Sequence, residues 1–324
     1  MGEKPRISYE QFQEMTREQH PERIEGTLAW AIAVYLADMQ QLGKPVGDSQ
    51  AYSMRAIQRL PIGAKLAATL AEEDILEHCK LRRVEVCPAT INHDLSNIRV
   101  VLKYCRSARK ACKPFSAALL ELEAVHPMLM KLGLTGKSTP RKRRPTDEEI
   151  AALLAYFETP VERGKARIIR MPDIIAFALV STRRLGEICR ITHGDIDWEK
   201  RTYWVRDLKH PTKKIGNHKE FALFDELAEI IRRQPRAGTD PAERVFPFNA
   251  KSCSAAYTLA KKRLGIEGLR FHDYRREAVT RWLKKLPPNK VRQISGHETS
   301  VILERVYDAP KAEDLHADLQ RLAA

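Results

Sequence analysis

Ile174-Ile175-Ala176-Phe177-Ala178-Leu179-Val180-Ser181-Thr182-Arg183-Arg184-Leu185-Gly186-Glu187 contains the longest apolar run of the chain and ends it on two arginines and a glutamate. Ile174 to Val180 is far too short to cross a bilayer, so the run predicts a buried helix reaching about Arg190. Arg184 and Glu187 stand three apart, which puts them on one helical face. A charge at the end of an apolar segment needs a partner. Two readings are open: Glu187 neutralises Arg184, or it orients Arg184 towards an anionic ligand.

Downstream of this stretch the pattern changes. Thr202-Tyr203-Trp204-Val205 reads as a strand, and Phe221-Ala222-Leu223-Phe224 as its return across a Gly216-Asn217 turn. Helical spacing resumes from Asp225 to the end, so the sheet is a small inset in a helical domain. Upstream, nothing alternates like a strand. Ile24, Leu28, Ile32, Tyr35, Leu36 and Met39 predict a helix over 22–42, which the segment 43–49 interrupts. A further helix from about Thr90 to Ala111 carries Ile91, Leu95, Ile98, Leu102 and Cys105 as one apolar stripe. Arg99, Lys103, Arg106, Lys110 and Lys113 follow the same step about 100° round the helix. That basic stripe is either a solvated face or a face for phosphates.

Between the halves lies a Gly/Pro/Ser-containing stretch with Lys137, Arg141, Lys142, Arg143 and Arg144, then Thr146-Asp147-Glu148-Glu149 as a helix start. The sequence thus divides into a polar tail (1–20), an all-α domain (21–135), a basic linker (136–145), a mixed domain (146–310) and a helical tail (311–324) carrying Leu315, Leu319 and Leu322. The expected fold class is mainly α with a small antiparallel sheet, in two domains. The linker reads as a soluble hinge or as a segment laid along a DNA backbone.

Lys and Arg outnumber Asp and Glu by 56 to 42, a formal charge of +14. A field of that sign favours polyanions, nucleic acid first, although a basic enzyme of another kind has the same balance. The six cysteines form no CxxC pair and no zinc spacing, and the start has no signal-peptide pattern. Reduced thiols in a cytoplasmic protein are expected, with no metal and no cofactor.

Three further clusters complete the chemistry. Asp207-Leu208-Lys209-His210-Pro211-Thr212-Lys213-Lys214 lies in the hairpin, His272-Asp273-Tyr274-Arg275 puts His and Arg on one helical face, and Ser295-Gly296-His297 precedes Tyr307. Each alone is common. Together they supply what metal-free cleavage of a phosphodiester demands. Two arginines stabilise the charge gathering on phosphorus, a lysine or histidine protonates the leaving oxygen, and a tyrosine attacks to give a phosphotyrosine.

In order and spacing these clusters resemble the motifs of the tyrosine recombinase (phage integrase) family over about 146–310. The T-G-x-R-x-x-E-like segment of that family is similar to Ser181–Glu187, which assigns the catalytic role to Arg184 and not Arg183, with Glu187 in support. The resemblance further implies Lys209 as the hairpin lysine, His272 and Arg275 from H-x-L-R, His297 from L-G-H, and Tyr307 as nucleophile. Counted back from Phe221, Lys214 fits the lysine equally. The resemblance also implies a core-binding first domain that clamps double-stranded DNA, and a homotetramer on two sites. It leaves open the target sequence, integration against excision, and any bending or directionality partner. On it, the basic stripe and Arg141, Lys142, Arg143 and Arg144 become candidate DNA contacts.

Departures are visible. Thr182 stands where the family usually has Gly, Tyr274 and Ser295 where it has Leu, and Ala222 where it has Pro. His297 to Tyr307 is one residue longer than usual. Three other readings remain: a type IB topoisomerase with the same chemistry, a silent DNA-binding protein of this fold, and a metallonuclease. The last finds no Asp/Glu/His cluster of suitable spacing.

Overall fold

The computed structural model describes residues 21–109, 112–139, 141–159, 169–208, 216–299 and 303. The chain forms two compact units, Met1–Pro140 and Arg141–Ala324.

Within the first unit the described elements are helices α1 (Leu28–Gln41), α2 (Asp48–Gln58), α3 (Glu72–Arg83), α4 (Pro88–Ala108) and α5 (Phe115–Lys131), with short 3-10 turns between them. Helix α1 starts later than the apolar spacing suggested. Thr27 caps it, its hydroxyl accepting the Trp30 N–H at 3.1 Å, and Ile24 lies outside the helix and is exposed. Pro88, whose missing N–H costs nothing in a first turn, opens α4. All five residues of its predicted apolar stripe are buried, packed with Leu28, Ile32, Met54, Leu122 and Leu129.

The second unit comprises α6 (Asp147–Glu158), α7 (Met171–Ser181), α8 (Leu185–Ile188), β1 (Ile196–Asp197), β2 (Thr202–Val205), β3 (Lys219–Ala222), α9 (Asp225–Arg232), α10 (Ala250–Arg263), α11 (His272–Leu283) and α12 (Pro288–Ser295). The sheet is antiparallel in the order β1-β2-β3, with Tyr203 opposite Phe221 and Val205 opposite Lys219. The returning strand therefore begins two residues before Phe221 and stops at Ala222. Tyr203, Val205 and Phe221 face the core beside Phe177, Ile174 and Phe246.

The single helix expected from Ile174 to about Arg190 is broken. Thr182 takes the left-handed conformation, φ 60°, and ends α7; Arg184 then caps the four-residue α8. A β-branched residue rarely adopts that conformation, which is why glycine suits the position. Here the Thr182 hydroxyl donates to the Ile294 carbonyl at 3.3 Å, and this contact ties the turn to α12. Further along, Val279, Val291 and Leu303 are buried as a small cluster of their own, lined by Trp282, Leu283 and Leu286.

Candidate active site

Breaking the helix at Thr182 gives Arg184 an N-cap position. The Glu187 carboxylate accepts the Arg184 backbone N–H at 3.0 Å and its Nη1 at 2.6 Å. Glu187 is 3 % exposed, whereas the Arg184 side chain is 34 % exposed. Burial pushes the Glu187 carboxyl up, but the Arg183 and Arg184 charges and the capping N–H outweigh it and hold it below the usual range. One face of Arg184 is thus oriented from below while the side chain still reaches solvent.

Arg275 sits one turn into α11 and is buried. Its Nη1 donates to the Thr182 carbonyl at 2.6 Å and its Nη2 to the Ser295 carbonyl at 3.0 Å. The same Nη2 lies 3.3 Å from His297 Nε2. Because a guanidinium only donates, Nε2 is the accepting nitrogen, and the proton resides on Nδ1, which lies 2.7 Å from the Ser295 hydroxyl. Ser295, conspicuous in the sequence only as a polar residue at an apolar family position, therefore fixes the His297 ring. Desolvation, then Arg275, Arg184 and Arg183, push the His297 pKa down to about 3. His297 is neutral at pH 7.

His272 opens α11, three residues before Arg275. His272 is exposed as a whole residue, yet enough protein surrounds its ring to desolvate it, and this with Arg275 and Arg184 lowers its pKa. The charges of Arg184 and Arg275 act on both histidines, so the two arginines and two histidines share one electrostatic neighbourhood.

Arg183, passed over by the sequence reading in favour of its neighbour, is 1 % exposed. Its Nε donates to the Ser181 carbonyl at 3.0 Å, its Nη2 to the Thr182 hydroxyl and the Ile294 carbonyl, and its guanidinium lies 3.8 Å over the Phe221 ring. Its Nη1 has no hydrogen-bond partner among the described residues. A methyl group on Gly296 would meet Phe221 at 3.2 Å and Arg183 at 3.3 Å, at a φ of +72°. Only glycine lets the His297 loop settle on this stack.

Tyr274 fills the family's leucine position by packing against Tyr257 and Phe271, ring centres 5.8 and 5.4 Å away. Lys209, Lys214, Lys110 and Tyr307 lie outside the described residues.

The candidate DNA contacts fall into two groups. In the first unit Arg99 is half-buried and Lys103, Arg106 and Lys113 are exposed; Lys103 comes within 3.9 Å of Glu123, and the other three form no ion pair among the described residues. In the second, the linker arginines are not loose. Arg141, Arg143 and Arg144 pair with Asp273, Glu149 and Glu277, whereas Lys142 is exposed and has no ion-pair partner among the described residues. The expected linker of 136–145 is thus divided, its residues from Arg141 onward belonging to the second unit.

Residues 143–313 match the model of the phage integrase family. A putative integrase/recombinase of Haemophilus influenzae is 33 % identical over 182 residues, covering 56 % of this chain and 58 % of that protein. A second from the same organism is 26 % identical over 260 residues, 78 % of this chain and 65 % of the relative. The chain thus spans about three fifths of the length of these two curated relatives. The shufflon-specific DNA recombinase of Escherichia coli is 26 % identical over 283 residues, 86 % of this chain and 68 % of that one. Among solved structures, the Tn1549 transposon integrase in complex with transposon right end DNA aligns with a TM-score of 0.62 at 17 % identity, covering 92 % of this chain and all of that one. A lambda integrase tetramer bound to a Holliday junction aligns at 0.63 and 14 %, covering 96 % and 90 %. At such identities these likenesses show the shared fold. With its family model matching more than half its length, the chain belongs to the phage integrase family.

Proposed function

We propose that this protein is a site-specific DNA recombinase that cleaves and rejoins double-stranded DNA through a 3′-phosphotyrosine on Tyr307. The observation that carries the reading is the gathering of Arg184, Arg275, His272 and His297 in one electrostatic neighbourhood, with both histidine pKa values lowered. Arg275, braced by two carbonyls, and Arg184, braced by Glu187, grip the non-bridging oxygens and stabilise the charge that builds on phosphorus. The Tyr307 oxygen bonds to phosphorus while the bond to the 5′ oxygen breaks. The tyrosine proton passes to the neutral His272, and the leaving 5′ oxygen takes one from Lys209, or from Lys214 in its place. Resealing reverses these transfers, so the bond energy is retained in the phosphotyrosine and no cofactor is consumed.

The relatives include a shufflon-specific DNA recombinase, and the structural neighbours a transposon integrase and a lambda integrase tetramer bound to a Holliday junction. By extension this chain acts as a homotetramer on two sites of a mobile element, with the first unit as its core-binding domain.

The test is covalent trapping in EDTA on nicked duplexes spanning the attachment site, resolved on a denaturing gel. A protein–DNA band that disappears in Tyr307→Phe, with DNA binding retained, is the expected result. Specific binding without any band would instead favour a silent DNA-binding protein.

A further inference from the structure

Resting on that reading, we propose that Arg141 is a positioning residue: it straps the start of α11, and so His272 and Arg275, and is not a contact to DNA phosphate. The Arg141 Nε donates to Asp273 Oδ1 at 2.8 Å and its Nη2 to Asp273 Oδ2 at 2.6 Å, while Nη2 also reaches the Gly268 carbonyl. Gly268, at φ +65°, lies in the turn that leads into α11, and Asp273 is the residue between His272 and the rest of the helix. One guanidinium therefore spans both sides of the helix start. Asp273 is 1 % exposed, and its other hydrogen-bond donor is the Arg270 backbone N–H at 2.7 Å. Without Arg141 a buried carboxylate keeps a single backbone donor, which a folded chain tolerates poorly.

The strap continues along the helix. Arg144 Nη1 donates to Glu277 at 3.2 Å, one turn after Asp273, and Glu277 also accepts Arg281 Nε at 2.8 Å. Arg281 in turn reaches Asp147 at 2.6 Å, and Arg143 pairs with Glu149, both in the first turn of α6. Glu149 is itself committed to the Thr146 N–H at 2.9 Å. The segment 141–144 is thereby fastened to the helix that bears His272 and Arg275. Asp273 is held below the usual carboxylate range: burial raises it, but Arg141 and the Arg270 N–H outweigh that.

The experiment uses the full chain with Arg141→Ala, Arg141→Lys, Asp273→Asn and the double variant Arg141→Ala/Asp273→Asn. Measured are DNA affinity across a salt series, single-turnover cleavage at saturating DNA, and amide deuterium exchange over 268–276. The strap predicts unchanged affinity and salt slope, cleavage slowed roughly 10- to 100-fold as for a misplaced catalytic group, and faster exchange at the start of α11. Lysine should not rescue, lacking the planar fork, and the double variant should be no worse than Arg141→Ala alone. Weakened affinity, a salt slope smaller by about one, and rescue by lysine would identify a phosphate contact and overturn the proposal. Unchanged exchange, or cooperative unfolding of both Arg141 variants, would overturn it as well. If the parent forms no covalent complex, the recombinase reading fails instead, and exchange and the salt slope still decide the strap.

Discussion

Along α4 the cations Arg99, Lys103 and Arg106, with Lys113 just beyond, follow a face about 100° round from the buried apolar stripe, and among the described residues they meet at most one distant carboxylate. At the opening of the second unit Arg141, Arg143 and Arg144 are as basic in sequence, yet each is taken by a carboxylate of its own unit. The difference is set by what surrounds them. The α4 stripe has the periodicity of one free helix face, whereas the 141–144 run faces Asp273, Glu277 and Glu149, acidic residues spaced one turn apart or in a capping box. A run of positive charge is thus a phosphate surface only where the fold leaves it unmatched.

The contrast is tested hardest at the buried cations. Arg275→Ala should lower the cleavage rate by about 10³-fold at saturating DNA while leaving affinity almost unchanged, because its contact is made in the transition state. An equal loss in affinity and none in rate would place Arg275 among the binding cations instead.

Acid probes the first unit's interior, which holds a neutral group where the second holds charged ones. His78 is 3 % exposed, and burial first, then Arg82, push its pKa down to about 4. Unfolded histidine titrates near 6.5, so between the two values the unfolded chain binds the extra proton. Stability is therefore full well above pH 6.5 and falls as pH drops through that window, by about 2.5 kcal/mol at pH 4.5. Denaturant midpoints should show this loss, and His78→Met should reduce it; a midpoint flat from pH 7 to 4.5 would contradict the assignment.

The outward cations should give the smallest effects and the most telling pattern. Lys103→Ala/Arg106→Ala should weaken DNA binding about tenfold at moderate salt and reduce the salt slope by roughly two, with cleavage at saturation unchanged. Lys142→Ala should do the same on a smaller scale, about two- to threefold, unlike its three arginine neighbours. Filter binding over a salt series separates these outcomes; a Lys142 effect absent while Arg144→Ala shows one would invert the comparison.

How much of this was legible beforehand varied with the range of the interactions. The apolar stripe of α4, the helix start at Thr146 and the pairing of the two longer strands follow from local spacing, and the described residues have all of them. The break at Thr182 did not show in the local spacing; its one signal was the place of Thr182 where the related family usually has Gly. What stabilises it is the hydroxyl contact to Ile294, over a hundred positions away. Arg183 escaped for the same reason, since its contacts to Ile294 and Phe221 are assembled by folding, whereas Ser295 stands two residues from the ring it orients and its hydroxyl gave no sign of that role. Motif order found Arg184, with Glu187 in support, and His272, Arg275 and His297 as candidates; it was silent on what braces Arg275 and the two histidines.

Arg183 has a consequence of a different kind. A cation sealed beneath the candidate active site, with one nitrogen unsatisfied among the described residues and an aromatic ring for its nearest face, is a burden on folding. Natural or laboratory selection for heat resistance would therefore tend to discard it. We expect Arg183→Met to melt at or above the parent temperature and to cleave more slowly, since the loop bearing His297 loses its seat. In that event thermal robustness and recombination pull against each other at a single side chain, and improving one by random mutagenesis would erode the other.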